Sequence, residues 1–467
     1  MLHTVLTIIQ WFFLLYMLIL NMCYLLLNLI SFISISRYLR DHRLDEFLQS
    51  FSDFEPPISV LVPAFNEETT VEATVRSLMQ LSYSEFEVIV INDGSSDRTM
   101  SILLDKFKLV QIPEAYQVRL PVKPIRGFYK SAMFPNLRVI DKENGGKADA
   151  LNAGINASRY PLFCGVDADS ILERNSLKRV VAPFLENPIT VAAGGTVRIV
   201  NGSRVVNGFL ELAGLPGKLL VRLQIVEYLR AFLFGRLGWT PINAMLIISG
   251  AFGVFRREMV IQAGGYTVGT IGEDMELVVR LHKYMRMKKE PYRITFVPDP
   301  ICWTEAPESL KVLRKQRVRW QVGLLQSLVK NRSLCFNRRG GTVGWLAFPF
   351  MILFEAMGPI IEILGYIFCI VGFILGVVTP TVFVLFFLLS VGFGVFISVT
   401  ALLLEVISFH IYAKPKQIFM LFLCSLFENF GYRQLVTLWR MEGIWNWLRG
   451  GKAQWGEMTR TADWQQK

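Results

Sequence analysis

The stretch Leu162-Phe163-Cys164-Gly165-Val166-Asp167-Ala168-Asp169 decides the fold class of this chain. Its five uncharged residues read as a strand buried on both faces, and two carboxylates follow at the strand's carboxyl end. In open α/β sheets that edge is where ligands bind. Carboxylates one residue apart can both turn toward one hard cation, magnesium or manganese, which keeps waters and takes its remaining ligands from substrate phosphates. Asp167 and Asp169 are therefore candidate metal ligands. A bare Asp-x-Asp also arises by chance, and the apolar strand directly before it singles this one out.

Outward from that strand, short apolar runs alternate with helical patterns. Residues 58–62 read as a strand, 70–81 as a helix, 86–91 and 137–140 as strands, 147–157 as a helix and 172–186 as another helix. This alternation predicts a parallel α/β sheet with helices on both faces. The connection 111–136 carries Pro113, Pro121 and Pro124 and is longer than loops usually are. The pattern gives it no role.

Further polar clusters fall at the ends of these strands. The first strand runs into Pro63-Ala64-Phe65-Asn66-Glu67-Glu68 and the second into Asn92-Asp93-Gly94-Ser95-Ser96-Asp97, placing Glu67 and Asp93 where a polar ligand would meet the sheet edge. Such turns also serve as plain helix N-caps. Gly145-Gly146-Lys147 opens a helix with two glycines and a cation, an arrangement suited to an anion, although it lacks the Walker spacing. Gly272-Glu273-Asp274 offers an acid able to take a proton. In Gln316-Arg317-Val318-Arg319-Trp320, arginine can grip phosphate oxygens and tryptophan presents a flat apolar face. That segment also fits an amphipathic basic helix at a bilayer surface.

The chain has 467 residues, 52% of them apolar, and they are segregated toward its two ends. Residues 5–36 contain no charged side chain and are long enough to cross a bilayer; Arg37, Arg40 and Arg43 follow, so the positive-inside bias places the middle domain in the cytosol. The region 343–438 is broken by Pro359, Pro380 and Lys414-Pro415-Lys416 into three segments. Segment 351–378 carries Glu355 and Glu362, and 418–438 carries Glu428, Asn429 and Arg433, charges that are costly at depth unless they line a cavity or an interface. One crossing before the domain and three after it would leave the basic tail, with Arg440, Arg449, Lys452 and Arg460, outside, so at least one segment is interfacial or doubled. Residues 210–245 read as a helix lying in the membrane interface, with a buried helix of the domain as the alternative. The net charge of +11 fits juxtamembrane contacts with anionic lipid, and no nucleic-acid motif is present. The six cysteines include no CxxC pair and give no sign of a disulfide or zinc framework.

Taken in order, these clusters resemble family 2 glycosyltransferases of the GT-A fold, particularly the cellulose, hyaluronan and poly-N-acetylglucosamine synthases. The resemblance covers residues 58–320 and the flanking membrane segments. It implies an α/β GT-A (Rossmann-like) cytosolic domain over 37–340, with interfacial helices at 210–245 and 309–330. A transmembrane anchor at 1–36, a transmembrane region at 341–440 and a basic cytosolic tail at 441–467 would flank it, as a multi-pass protein of the inner (plasma) membrane. By similarity, Asp93 would contact the nucleoside, Lys147 the diphosphate, and Asp167 with Asp169 the nucleotide and a Mg2+ or Mn2+ ion. Asp274, beside Glu273, would be the general base, and Gln316, Arg319 and Trp320 would hold the diphosphate and the acceptor end. Ser249-Gly250-Ala251-Phe252-Gly253 resembles, more loosely, the family segment near the acceptor. The implied reaction is inverting transfer of a hexose or N-acetylhexosamine from a UDP-sugar to a growing β-linked polysaccharide, coupled to its export. A single-transfer enzyme making a glycolipid is the main alternative, and an inactive membrane scaffold or transporter the third. The implied partners are the donor, a polysaccharide or lipid acceptor, membrane lipids and an accessory secretion subunit. The base motif begins with Gly272 where the synthases commonly have Thr, and both its carboxylates are retained.

Overall fold

The computed structural model describes residues 2–49, 55–206, 208–412 and 414–450. Ten strands form one sheet: β1 (Ile58–Ala64), β2 (Phe86–Asp93), β3 (Leu109–Ile112), β4 (Ile125–Ser131), β5 (Leu137–Lys142), β6 (Leu162–Val166), β7 (Ile171–Leu172), β8 (Thr190–Ile199), β11 (Phe252–Arg256) and β12 (Arg293–Thr304). The intervening β9 (Arg204–Val206) and β10 (Phe209–Leu212) make a separate ribbon. The spatial order is β3-β4-β5-β2-β1-β6-β11-β8-β12-β7. The quoted strand, β6, lies in the interior of the sheet with all five residues buried. It pairs parallel with β1 on one side (Val60 opposite Cys164) and antiparallel with β11 on the other (Val254 opposite Cys164).

The sheet is mixed, which corrects the expectation of a purely parallel one. Pairs β1/β2, β1/β6, β2/β5 and β8/β12 are parallel, whereas β3/β4, β4/β5, β6/β11, β8/β11 and β7/β12 are antiparallel. The connection 111–136 is largely responsible on one side. It contains β4, which returns antiparallel to both β3 and β5 and covers the β5 edge. Pro113 falls just after β3 and Pro124 just before β4, positions an edge hairpin tolerates. On the other side β7 takes the first residue of the expected helix 172–186, which begins at Ser176.

Residues 210–245 do not form one continuous helix. They begin within β10, form the helix Leu219–Leu233 and end in a 3-10 turn, Leu237–Trp239. Leu223, Gln224, Ile225, Val226 and Leu229 are buried because the helix is clamped between β8 and the apolar helices Phe393–Ser408 and Pro415–Phe427. Arg198 of β8 makes a fully buried ion pair with Glu405, and Arg230 pairs with Glu428. Glu405 and Glu428 of the apolar helices thus take charged partners from the sheet and from the helix packed on it, which offsets part of their desolvation cost.

Among the described residues two helices are long and apolar enough to cross a membrane, Thr4–Arg40 and Pro380–Ser408; a bent pair, Val343–Ala356 and Gly358–Ile374, meets at 46° and counts as a third if it is one span. The expected segment 418–438 is not continuous: Phe430 and Gly431 (φ 93°) break it between Pro415–Phe427 and Arg433–Leu448. The second of these helices takes in the first residues of the expected 441–467 tail, whereas Lys452 and Arg460 lie outside the described residues.

His282, fully buried in the helix Glu273–Lys288, ties that helix to the loop before β11. Its Nε2 donates to the Met245 carbonyl at 2.8 Å, and Nδ1 accepts from the Tyr292 hydroxyl at 2.7 Å, the hydroxyl itself accepting from Arg286 Nε. Burial, helped by the Arg286 charge, lowers the imidazole to about 4. Because the folded value lies below the unfolded one, stability is complete above pH 6.5 and falls as the pH drops toward 4, by about 1.4 kcal/mol per unit. The thermal midpoint of the detergent-solubilised protein should therefore fall between pH 6.5 and 5, and should fall less steeply in His282→Gln. An identical slope in both proteins would remove His282 as the cause.

Candidate active site

The turns after β1 and β2 are stitched together before they reach any ligand. Asn66 donates its backbone N–H to Ser95 Oγ and accepts from the Ser96 N–H, and the Glu67 N–H donates to Thr99 Oγ1. Glu67 accepts from the Thr70 hydroxyl at 2.6 Å and faces the main cavity. Asp93, the expected nucleoside contact, is engaged by internal partners. It is 2% exposed, and its carboxylate accepts from Lys142 Nζ (2.5 Å), Gly145 N (3.0 Å) and Gly146 N (2.7 Å). All of these partners are internal, so Asp93 braces the turn that launches the helix Lys147–Ala157. Gly94 (φ 68°) permits this approach, since a Cβ there would lie 2.7 Å from Asn144 N.

Lys147 is the first residue of that helix. Its ammonium lies 2.5 Å from Asp167 Oδ1 at the end of β6 and 3.7 Å from Glu273 Oε1, and donates to the Gly250 carbonyl at 3.2 Å. Burial pulls the ammonium down, but the Asp167 and Glu273 carboxylates outweigh it and hold it above its ordinary range. Gly250 in turn donates its N–H to Asp274 Oδ2 at 2.9 Å, while Asp274 Oδ1 accepts from Met275 N at 2.8 Å. A Cβ at Gly250 would sit 3.0 Å from Lys147 Nζ and 3.3 Å from Asp274 Oδ2, so glycine keeps this contact open. Glu273 is buried, which raises its carboxyl to about 7; Lys147 opposes that rise and the neighbouring Asp274 adds to it.

The helix Leu310–Lys330 reaches the cluster through a glycine contact. A Cβ on Gly272 would lie 3.0 Å from Gly323 Cα, and one on Gly323 would lie 2.8 Å from Gly272 N. Gln326 Oε1 accepts from the Ile271 N–H. This close approach places Gln316, Arg319 and Trp320 on the same cavity as Asp274. Gln316 is buried, whereas Trp320 is 46% exposed with the Arg317 guanidinium 4.3 Å from its ring centre. Arg317 itself is committed to Glu227 at 2.7 Å.

The cavity measures about 750 Å³ and is lined by Glu67, Lys147, Asp167, Asp169, Glu273, Asp274, Gln316, Arg319 and Trp320. It continues between the apolar helices, where Tyr16, Tyr24, Glu362 and Thr437 also line it. Asp93 is not among its lining residues. Among the described residues no group of three or more His, Cys, Asp and Glu side chains is arranged to hold a metal. Asp167 and Asp169 supply two hard oxygen ligand groups at the cavity wall, both partly exposed, which fits a cation whose shell is completed by water and phosphate. Glu227 and Arg236 also line the cavity; in the sequence they stand out only as charges of the 210–245 segment, with no strand-end or motif signal, and Gly250 only as part of a looser match.

Residues 59–261 match the family model for glycosyl transferase family 2, and residues 163–397 match that for glycosyl transferase family group 2. The chain is 30% identical over 275 residues to the poly-β-1,6-N-acetyl-D-glucosamine synthase of Staphylococcus epidermidis, covering 59% of this chain and 56% of that protein. The synthase of the same name from Staphylococcus aureus gives 30% over 276 residues, with the same shares. The chain thus spans about half the length of the curated relatives it matches. Among solved structures, the mannosyltransferase PcManGT from Pyrobaculum calidifontis, in complex with GDP-Man and Mn2+, shares the fold at a TM-score of 0.50 and 16% identity, covering 89% of this chain and 99% of that one. With half of the chain matched by a family model and a GT-A-like mixed sheet beneath the match, this chain belongs to glycosyl transferase family 2.

Proposed function

We propose that the chain transfers N-acetylglucosamine from a UDP-sugar to a growing β-linked polysaccharide, by single displacement with inversion. The observation that carries this reading is the convergence of Lys147, Asp167 and Asp274 around Gly250 within one cavity. The oxygen of the acceptor hydroxyl attacks the anomeric carbon, the bond to the diphosphate breaks, and the hydroxyl proton passes to Asp274. Two backbone N–H groups hold the Asp274 carboxylate in place for this. Lys147 and Arg319 face the diphosphate, and Trp320 offers its exposed ring to the acceptor end. Asp167 and Asp169 would hold a Mg2+ or Mn2+ ion, which when bound neutralises charge developing on the leaving diphosphate. The choice of sugar rests on the products named for the two staphylococcal relatives.

Continuation of the cavity between the apolar helices supports a polymer that leaves through the membrane portion, with the catalytic domain on the cytosolic side of the inner membrane. A single-transfer glycolipid enzyme has less need of such a passage. The test is nucleotide release from a panel of nucleotide sugars by the solubilised full chain. UDP-N-acetylglucosamine should be turned over preferentially. Chelation should lower the rate at least about a hundredfold, as expected for loss of several kcal/mol of charge stabilisation, with Mn2+ or Mg2+ restoring it. Undiminished turnover in excess chelator would remove the metal from the mechanism.

A further inference from the structure

Arg236 follows the helix Leu219–Leu233 and precedes the turn Leu237–Trp239. That turn is pinned to the first apolar helix, since a Cβ on Gly238 would meet the Leu27 carbonyl oxygen at 2.9 Å. Arg236 therefore stands on the membrane-facing side of the cavity it shares with Asp274. Its guanidinium carbon lies 3.6 Å from the centre of the Phe232 ring, which fixes the plane of the group.

Two donors of the Arg236 side chain lack acceptors. Nε and Nη1 are buried and have no hydrogen-bond partner among the described residues. Of the other arginines lining the cavity, Arg230, Arg317, Arg433 and Arg440 are each paired with a carboxylate, from Glu428, Glu227, Glu362 and Glu355 respectively. Burial draws the Arg236 guanidinium down to about 10, and only the more distant charges of Asp274 and Tyr228 oppose it. Buried charged donors without acceptors are costly, and Arg236 lines the cavity, where a bound ligand can supply acceptors as the side chain turns toward it.

We propose that Arg236 is an acceptor-binding residue, donating from its guanidinium to hydroxyl or amide oxygens of the acceptor's terminal sugar and so holding the reacting hydroxyl beside Asp274. This rests on the glycosyl-transfer reading above. The diphosphate is a poorer candidate for this arginine, because the reading above already gives it Lys147 and Arg319. Phe232 behind the guanidinium and Trp239 in the adjoining turn give the apolar surface that a sugar ring packs against.

The test uses the solubilised full chain with UDP-N-acetylglucosamine, Mg2+ and a short β-1,6-linked N-acetylglucosamine oligosaccharide as acceptor. Arg236→Gln should raise the KM for the oligosaccharide about tenfold or more while leaving the Kd for the donor, read by calorimetry, within about twofold. Arg236→Lys keeps the charge without the planar fork and should fall between the two; it serves the same test if the glutamine protein does not accumulate. An unchanged oligosaccharide KM in either variant, with donor binding intact, overturns the assignment of Arg236 alone. Failure of the unaltered protein to bind or turn over any nucleotide sugar overturns the glycosyl-transfer reading, and this inference with it.

Discussion

Asp274→Asn should lower the turnover of donor to product by about 10²–10⁴-fold, the usual contribution of a positioned general base, while donor affinity stays close to that of the unaltered protein. The expectation follows from how the carboxylate is held. Its two oxygens accept from Gly250 N and Met275 N, so the side chain is already oriented toward the cavity before any substrate binds. Asparagine has nearly the same shape and keeps one acceptor oxygen, but it cannot take the proton that the acceptor hydroxyl must lose. The loss should therefore appear in kcat, and hardly in the Kd of the nucleotide sugar measured without turnover. Turnover within a few-fold of the unaltered enzyme would rule Asp274 out as the base and move attention to Glu273. The latter's buried carboxyl, raised to about 7, is the other proton-accepting group in the cluster.

Lys147→Gln should weaken donor binding by about two orders of magnitude, in keeping with the 2–5 kcal/mol that accompanies truncation of one member of a buried charge pair. Lys147 serves two carboxylates at once, Asp167 at 2.5 Å and Glu273 at 3.7 Å, and anchors on the Gly250 carbonyl. Removing it leaves negative charge concentrated where the diphosphate must approach. Lys147→Arg should restore only part of the affinity. A guanidinium is larger than the ammonium, and the space around Nζ is already so tight that even a Cβ on Gly250 would come within 3.0 Å. Calorimetric titration of donor into both variants checks this. An unchanged Kd in Lys147→Gln would confine the lysine to bracing the sheet edge.

The parts of this molecule that could be read from sequence are those whose signal is local. An apolar strand ending in carboxylates gave β6 with its residues 162–166, and the glycine-lysine helix start gave the helix Lys147–Ala157. The parts that were not legible depend on pairing across the chain. Nothing in residues 111–136 announces that β4 will return antiparallel to cover β5, because edge strands carry weak alternation and the prolines read as a loop. Residues 210–245 read as one interfacial helix from their charges, whereas the helix is Leu219–Leu233; the partner of Arg230, Glu428, lies about two hundred residues away and could not be inferred. Asp93 is the sharpest case. A strand-end acid in a glycine-serine turn suits ligand contact and internal bracing equally well, and its ion pair with Lys142, one strand over, depends on a strand pairing that the local sequence does not announce.

The measurement that tests the proposed function most directly is the size of the product made by the full chain in membrane vesicles from labelled UDP-N-acetylglucosamine. A ladder or high polymer of β-linked N-acetylglucosamine, absent with Asp274→Asn, is the predicted result. A single labelled glycolipid from the unaltered protein, with no longer product at any donor concentration, would contradict polymer synthesis and establish single transfer in its place.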